Sequence, residues 1–366
     1  QILKMDHIPD AAACDEAVKL TRKRGLNNLS GFVNGVLRNI SRNKEAIHYP
    51  DPEKTPAAYI SMRYSVPEWL AKMWIRDYGF EMTAEMGQAM LDDQKTTVRV
   101  RDSQNMAAVK EALRSEGLNI EEGCMLPEAL HLSGYDYLGN VGPFADGRIT
   151  AQDESAMLAA VAAGIADGES IIDVCAAPGG KSMHMADILK GSGQVSARDL
   201  TEAKVLKIQE NLKRTGLKNV SAEVKDALVF YPEDAQKADI VMADLPCSGL
   251  GVMGRKADIK RSVTPEKITA LAALQREILS VVQHYVKPGG VLIYSTCTVS
   301  KAENEENMQW FEEHFPFGLE SLDAYVPEKV RNEHTKAGWI QILPGQYQSD
   351  GFFIARFRRS RDEGAE

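Results

Sequence analysis

Short apolar runs alternate with longer amphipathic stretches in the second half of the chain. From Gly147 onward the pattern predicts a helix over 153–166, a long helix over 265–286, and further helices between strand-like runs. Those runs are SIIDVC, GQVSAR, VSAEV, ADIVMADL and GVLIYST, and GWIQILPG and GFFIARFRR then predict a closing antiparallel hairpin. Because alternating strands and helices form βαβ units, residues 147–360 are predicted to be an α/β domain with a doubly wound parallel sheet.

Two shorter regions precede this domain. Apolar residues at helical spacing predict helices over 11–23 and 29–40, so residues 1–48 are expected to be helical, and HYPDPEKTP is a linker. Residues 58–146 mix short helices with the strand-like run TTVRV, which predicts a small α+β domain. The chain is therefore expected to contain three regions.

The composition narrows the class of protein. Of 366 residues, 44% are hydrophobic and 26% are charged, a balance typical of globular domains. The sequence has neither an apolar run of about eighteen residues nor a signal-peptide pattern at its start, which predicts a cytoplasmic protein without a membrane anchor. The five cysteines form no CxxC pair, so neither a bound metal nor a disulfide framework is expected.

The net charge of -9 argues against a nucleic-acid partner, but the charge is unevenly distributed. The acid-free segment between Glu16 and Glu45 carries seven basic residues: Lys19, Arg22, Lys23, Arg24, Arg38, Arg42 and Lys44. A second cluster consists of Arg255, Lys256, Lys260 and Arg261. Each group of basic residues has two interpretations: it covers a solvent-exposed face of the fold, or it contacts nucleic-acid phosphates.

The segment DVCAAPGGKS ends like a phosphate-binding P-loop but is not one. The first glycine that a P-loop requires would fall at position 175, which is Cys. What remains is a turn of small residues between a buried strand and a helix, where a ligand can approach the backbone and the free N–H groups of the helix. The residues of this candidate ligand loop are Cys175, Ala176, Ala177, Pro178, Gly179, Gly180 and Lys181.

Acidic residues end the next two predicted strands. Asp199 lies where a doubly wound fold places an acid on ribose hydroxyls, and Asp226 is positioned to contact an adenine amino group. A strand-end Asp is also a common helix cap. Because the dinucleotide fingerprint GxGxxG is absent, the combination favours S-adenosylmethionine over NAD.

Two further strand ends carry thiols. ADLPCSGLG contains Asp244 and Cys247, and YSTCTVS contains Cys297. A buried Cys is often only a small apolar residue. Two at neighbouring strand ends suit methylation of cytosine carbon 5, which needs one thiol to add to carbon 6 and a base to complete its release. Asp244 is suited to bind the N3/N4 edge of the base.

These motifs resemble a known family. DVCAAPGGKS, ARDL, KDA, DLPCSG and YSTCT are similar to the motifs of the NOL/NOP/Sun RNA 5-methylcytosine methyltransferases. LSGFVNGVLRNI, YSVPEWLAKMWIRDYG, GRITAQDESA and SDGFFIARFRR narrow the resemblance, over nearly the whole chain, to the bacterial small-subunit ribosomal RNA methyltransferase B (Sun/Fmu) type. The resemblance implies a class I, Rossmann-like methyltransferase fold.

The resemblance also implies roles for individual residues. Cys297 is the expected nucleophile, Cys247 assists release, and Cys175–Lys181 with Asp199, Asp226 and Asp244 bind S-adenosylmethionine. The expected partner is protein-free 16S rRNA, in which the target cytosine lies in a hairpin, rather than DNA or a membrane, and a monomer is assumed. The family begins with a NusB-like RNA-binding domain, of which residues 1–48 match only the last helices. Lys204 stands where many members carry Arg.

Three alternatives remain open from the sequence. The same chemistry can act on a transfer RNA or on a different rRNA cytosine, because the active-site motifs are shared. A non-catalytic NusB-like RNA-binding protein explains the basic segment but leaves the thiols without a role. A redox pair of Cys247 and Cys297 leaves the ligand loop unexplained.

Overall fold

The computed structural model describes residues 1–3, 5, 7–46, 48–92 and 95–361, which form two compact units, Gln1–Ala71 and Lys72–Glu366. The first unit is helical, and α1 packs against α2. Its helices, the last of which continues into the second unit, are α1 Asp10–Lys23, α2 Ser30–Arg42, α3 Pro56–Tyr64 and α4 Glu68–Tyr78. Within the described ranges, every helix lacks the length or the apolar character needed to cross a membrane.

The second unit begins with a small antiparallel sheet in the order β2-β3-β1-β4. Its strands are β1 Thr96–Val100, β2 Asn119–Glu122, β3 Ala129–Ser133 and β4 Ile149–Ala151. The accompanying helices are α5 Phe80–Ala89, α6 Met106–Ser115 and α7 Gly142–Ala145. Val98, Leu113, Leu130 and Ile149 belong to its buried core, so the α+β character expected for this region is present.

A larger sheet follows in the order β10-β12-β9-β8-β5-β6-β7, with β11 paired to β12. Its strands are β5 Ser170–Asp173, β6 Gln194–Asp199, β7 Val220–Val224, β8 Ala238–Asp244, β9 Val286–Thr296, β10 Phe317–Leu319, β11 Trp339–Ile342 and β12 Phe352–Arg359. Strands β5 to β9 pair in parallel, and β10, β11 and β12 pair antiparallel. The predicted doubly wound α/β fold with a closing hairpin is confirmed.

Helices connect these strands. They are α8 Glu154–Ala162, α9 Gly180–Leu189, α10 Glu202–Thr215, α11 Ile259–Ser262, α12 Pro265–Val282, α13 Glu305–His314 and α14 Glu333–Ala337. Two predicted helices were too long. Helix α8 is followed by Gly164 at φ +63°, outside helical geometry, and α12 gives way to a short 3-10 turn before β9 starts at Val286.

Successive strand residues face opposite sides of the large sheet. Ile171 and Ile240 belong to the core on one face, and their neighbours Ile172 and Val241 belong to the core on the other. Burial of both faces is why these strands read as continuous apolar runs in the sequence.

The strand order places the candidate site. From β5 the chain winds to β6 and β7 on one side, whereas β8 and β9 lie on the other side. Loops that leave β5 and β8 therefore diverge and open a crevice at the carboxyl edge of the sheet. The candidate ligand loop follows β5, and the segment with Cys247 follows β8.

Candidate active site

The candidate ligand loop is held tightly by backbone contacts. The Ala176 N–H donates to Arg198 O over 2.8 Å. Gly179 has φ +103°, and a Cβ there would lie 3.3 Å from Ile208 Cγ2, so glycine is required. Helix α9 starts at Gly180, and the first N–H groups of a helix have no partners within it. The loop thus presents small residues and backbone donors to the crevice.

A buried carboxyl group that sequence reasoning missed lies below this loop. Asp173 is the last residue of β5 and is 1% exposed. Ser182 Oγ donates to Asp173 Oδ2 over 2.6 Å, whereas Oδ1 has no hydrogen-bond partner among the described residues. Burial raises the pKa of Asp173 to about 7. The sequence signal for this group is an acidic residue at the end of an otherwise apolar strand.

The two strand-end acids beside the loop differ in their contacts. Asp199 Oδ2 accepts from the Ala177 N–H over 3.0 Å, and Lys204 Nζ lies 2.9 Å from Asp199 Oδ1. Asp226 is half-buried, and its Oδ1 accepts from the Leu228 N–H over 2.9 Å. Both acids follow strands on the β6–β7 side of the crevice, as predicted.

Asp244 lies at the end of β8 between a cation and a hydroxyl. Lys181 Nζ donates to Asp244 Oδ2 over 2.6 Å, and Ser295 Oγ donates to Oδ1 over 2.9 Å. Lys181 is 15% exposed and Asp244 is 25% exposed. This ion pair joins the candidate ligand loop to the strand end that precedes Cys247.

The structure brings the two predicted thiols together. Cys247 Sγ and Cys297 Sγ lie 3.3 Å apart, and both side chains are partly exposed. Their loops are tied by the Leu245 N–H, which donates to Ser295 O over 3.0 Å, and by the Gly251 N–H, which donates to Cys297 O over 3.0 Å. Two thiols 50 positions apart in the chain therefore meet at one point in space.

The surroundings of the two thiols differ in charge. A hydrogen bond from Cys247 lowers the pKa of Cys297, and the Lys181 and Lys256 ammonium groups lower it further, whereas burial and the Asp244 carboxylate oppose the lowering. The pKa of Cys247 is raised by the hydrogen bond to Cys297, by burial, and by the Glu303 carboxylate. These opposite shifts favour Cys297 over Cys247 as the thiolate of the pair.

In the basic cluster after the Cys247 loop, Arg255 and Lys256 differ in their contacts. Arg255 Nε donates to Asp350 Oδ2 over 2.8 Å, and its terminal nitrogens reach Lys95 O and Asp153. Lys256 is exposed. Arg255 thus serves the fold, which the sequence pattern alone did not distinguish.

Known families match the chain along its length. The model of the 16S rRNA methyltransferase RsmB/F family matches residues 160–358, that of the NusB family matches 1–42, and that of the RsmF/B-like ferredoxin-like domain matches 66–135. The probable ribosomal RNA small subunit methyltransferase B of Bacillus subtilis is 38% identical over 98% of this chain and 80% of the relative. The corresponding protein of Synechocystis sp. is 32% identical over 98% of this chain and 81% of the relative.

A solved structure agrees with these matches. The crystal structure of a methyltransferase homolog protein from Pyrococcus horikoshii is 25% identical, with a TM-score of 0.70 over 85% of this chain and 100% of that chain. The resemblance drawn from the motifs is confirmed by the family model and by both relatives. The chain belongs to the 16S rRNA methyltransferase RsmB/F family.

Proposed function

We propose that this protein methylates carbon 5 of a cytosine in 16S rRNA, with S-adenosylmethionine as the methyl donor. The observation that carries the proposal is the pair of thiols, with Cys247 Sγ and Cys297 Sγ 3.3 Å apart at neighbouring strand ends. Membership of the RsmB/F family supports an rRNA substrate, and the thiol pair supports cytosine carbon 5 as the reacting atom.

The first step is attack by Cys297. Carbon 5 of cytosine is a weak nucleophile, and bonding of the Cys297 sulfur to carbon 6 makes it enamine-like. Asp244 lies at the adjacent strand end and binds the N3/N4 edge, which favours protonation of N3 as the C5–C6 double bond is lost. Uracil lacks the N4 amino group, so the same contact selects cytosine.

Release requires the second thiol. After carbon 5 takes the methyl group, its proton passes to a base, the double bond returns as the bond between carbon 6 and Cys297 breaks to regenerate the thiolate, and N3 gives back the proton it took up during attack. In the adduct the Cys297 sulfur is an uncharged thioether, so its contribution to the raised pKa of Cys247 disappears, while those of burial and Glu303 remain. Cys247 is then better able to lose its proton and assist removal of the carbon 5 proton.

The crevice suits S-adenosylmethionine, which supplies an electrophilic methyl group when bound. The positive φ and close packing of Gly179 keep the loop free of a side chain at that position, and Asp173 Oδ1, which has no hydrogen-bond partner in the described part of the chain, suits a cationic group. We assign the binding residues as Cys175–Lys181 with Asp199, Asp226 and Asp244. Lys204 pairs with Asp199, and ribose hydroxyls at Asp199 would compete with that ion pair.

The RNA partner is proposed to be protein-free 16S rRNA. A cytosine in a hairpin loop costs less to extrude than one in a duplex. We assign residues 1–48 to the last part of a NusB-like RNA-binding domain, 58–146 to a small α+β domain and 147–360 to the methyltransferase domain. A cytoplasmic monomer is the simplest assembly for this activity.

The test is a denaturing-gel search for a covalent protein–RNA adduct. Wild type, Cys247→Ala and Cys297→Ala are incubated with protein-free 16S rRNA and S-adenosylmethionine, and methylated cytosine is measured in parallel. We expect Cys247→Ala to accumulate an adduct, because attack proceeds without release. Cys297→Ala should form no adduct and transfer no methyl group.

Cys124→Ala is the matched control, because Cys124 lies in the small α+β domain outside the crevice. It should methylate like wild type. An adduct that persists without Cys297 and is lost without Cys247 would reverse the two roles. Methylation by Cys297→Ala at the wild-type rate would reject covalent catalysis altogether.

A further inference from the structure

Two consecutive buried residues follow the Cys297 loop and take no direct part in the proposed chemistry. Glu303 and Asn304 are both 0% exposed. A carboxylate in such a place is costly unless its oxygens are hydrogen-bonded. Glu303 contacts the segment around Cys247, and Asn304 contacts the segment around Cys297.

Glu303 holds the segment around Cys247. Glu303 Oε2 accepts from the Ser248 N–H over 2.8 Å, and Oε1 accepts from the Ser248 hydroxyl. Gln275 Nε2, on α12, donates to Glu303 Oε2 over 3.1 Å and to Pro246 O over 2.9 Å. The residues on both sides of Cys247 are thus fixed by one buried network.

Asn304 holds the segment around Cys297 in the same manner. Thr296 Oγ1 donates to Asn304 Oδ1 over 2.6 Å, and Asn304 Nδ2 donates to Thr298 O over 3.1 Å. These are the residues on both sides of Cys297. The Ser248 and Thr298 hydroxyls, 2.7 Å apart, join the two networks.

We infer that Glu303 and Asn304 are positioning residues that set the separation of the two catalytic thiols, an inference that rests on the proposed function. Glu303 fixes Cys247 for release, and Asn304 fixes Cys297 for attack. Because the two residues are adjacent, neither thiol segment can shift without straining the other. Burial raises the pKa of Glu303, and the three donors around its carboxylate oppose that rise.

The first test measures thiol separation without RNA or methyl donor. A trivalent arsenical such as phenylarsine oxide bonds to two neighbouring thiols at once and releases water, so its affinity depends on the distance between them. We expect Glu303→Ala and Asn304→Ala to bind it at least about tenfold more weakly than wild type. Glu303→Gln keeps the size and an acceptor for the Ser248 N–H, and should retain most of the wild-type affinity.

The second test separates the two roles by single-turnover kinetics on rRNA. Glu303→Ala should slow release at least about tenfold and accumulate adduct, with attack nearly unchanged. Asn304→Ala should slow attack at least about tenfold and should accumulate no covalent adduct. Affinity for S-adenosylmethionine should stay at the wild-type value in both. Glu306→Ala, an exposed residue close by in the chain, is the matched control.

Several results would overturn the inference. One is unchanged arsenical binding in both alanine variants, and another is an equal loss of attack and release in both. A Glu303→Gln variant as impaired as Glu303→Ala would assign the role to charge rather than position. Should Glu303→Ala not fold, Ser248→Ala removes the hydroxyl that links Glu303 to Thr298 and should weaken arsenical binding. If arsenical binding responds as expected but wild type never methylates rRNA, the proposed function fails, and only the effect of Glu303 and Asn304 on the separation of the two thiols stands.

Discussion

The two thiols of the crevice are chemically identical, and we propose that their surroundings give them different roles. The Lys181 and Lys256 ammonium groups favour a thiolate at Cys297, whereas the Asp244 carboxylate opposes it. A carboxylate, Glu303, lies on the side of Cys247 and disfavours a second negative charge. Two thiolates 3.3 Å apart would repel each other, so the pair carries at most one charge, and the local charges decide which sulfur holds it.

The pH dependence of Cys297 reactivity tests this asymmetry. Since the thiolate is the reactive form, alkylation of Cys297 by iodoacetamide should rise with pH through a pKa below the ordinary thiol value. Cys247→Ala removes the hydrogen bond that contributes most to that lowering, so the pKa of Cys297 should rise and its profile should move to higher pH. Peptide mapping follows Cys297, and Cys124 in the same samples is the internal control. An unmoved profile would contradict the assignment.

Asp173 predicts a pH dependence of stability. Its pKa is raised to about 7 by burial, whereas in the unfolded chain it is about 4. Between these values the folded state holds a proton that the unfolded state has released, so the free energy of unfolding should fall as pH rises, by at most about 4 kcal/mol, and level off above pH 7. Asp173→Asn should flatten this slope in urea titrations from pH 5 to 8. The exposed Asp136→Asn is the control, and equal slopes in all three proteins would contradict the prediction.

At the scale of elements, the sequence predicted the large sheet better than the small one. Its central strands β5, β8 and β9 carry buried apolar runs, and the parallel order brings the carboxyl ends of β5 to β9, with Asp199, Asp244 and both thiols, to one edge. In the small domain only β1 was predicted. Strand β2 is polar and mostly exposed, and β4 has three residues, so neither leaves a clear pattern.

Contacts between distant segments were beyond sequence reasoning. The pairing of Lys181 with Asp244 joins positions 63 apart, and that of Ser248 with Glu303 joins positions 55 apart. Glu303 and Asn304 are polar residues that directly precede α13, which begins at Glu305. Only the folded chain brings them to the thiols.

Helix α8 is anchored to the small sheet by a buried carboxylate. Glu154 accepts from the N–H groups of Cys124, Met125 and Leu126 at 2.7, 2.6 and 2.8 Å. Burial opposes ionisation, but His131 and these N–H groups outweigh it and the pKa of Glu154 is lowered. A carboxylate oxygen of Glu154, Cys124 Sγ and a ring nitrogen of His131 also lie within 4.8 Å of one another, but the carboxylate already serves three amides, and we assign it to the fold.

Glu154→Ala should therefore be strongly destabilising. It leaves three N–H groups of the turn before β3 without their acceptor, and we expect the free energy of unfolding to fall by about 3 kcal/mol or more. Glu154→Gln should be less destabilising, because its carbonyl still accepts. Glu202→Ala, an exposed glutamate at the start of α10, is the control for helix propensity. Urea denaturation measures all three, and similar decreases for Glu154→Ala and Glu202→Ala would reject the anchor.

At the scale of the whole molecule, a net charge of -9 has to coexist with an RNA partner. The basic segment of the first unit is only partly neutralised, because Lys19 pairs with Glu16 and Lys44 pairs with Asp10. Arg22, Lys23 and Arg24 are exposed at the end of α1. Phosphate contacts are local, so one exposed basic surface can bind RNA although the molecule as a whole is acidic.

The salt dependence of RNA binding locates that surface. Changing Arg22, Lys23 and Arg24 to Gln should weaken binding of protein-free 16S rRNA and reduce the slope of log affinity against log salt by roughly 0.7 to 0.9 for each phosphate that the protein no longer neutralises. The matched variant changes Lys207, Lys213 and Lys218 to Gln. These are three exposed lysines in and after α10, so the net charge changes by the same amount. Were binding steered by net charge alone, both variants would bind more weakly to the same degree. A changed slope in the first variant alone would mean that the α1 surface contacts phosphate. A changed slope in the second variant alone would mean that the RNA contacts the surface of α10 instead.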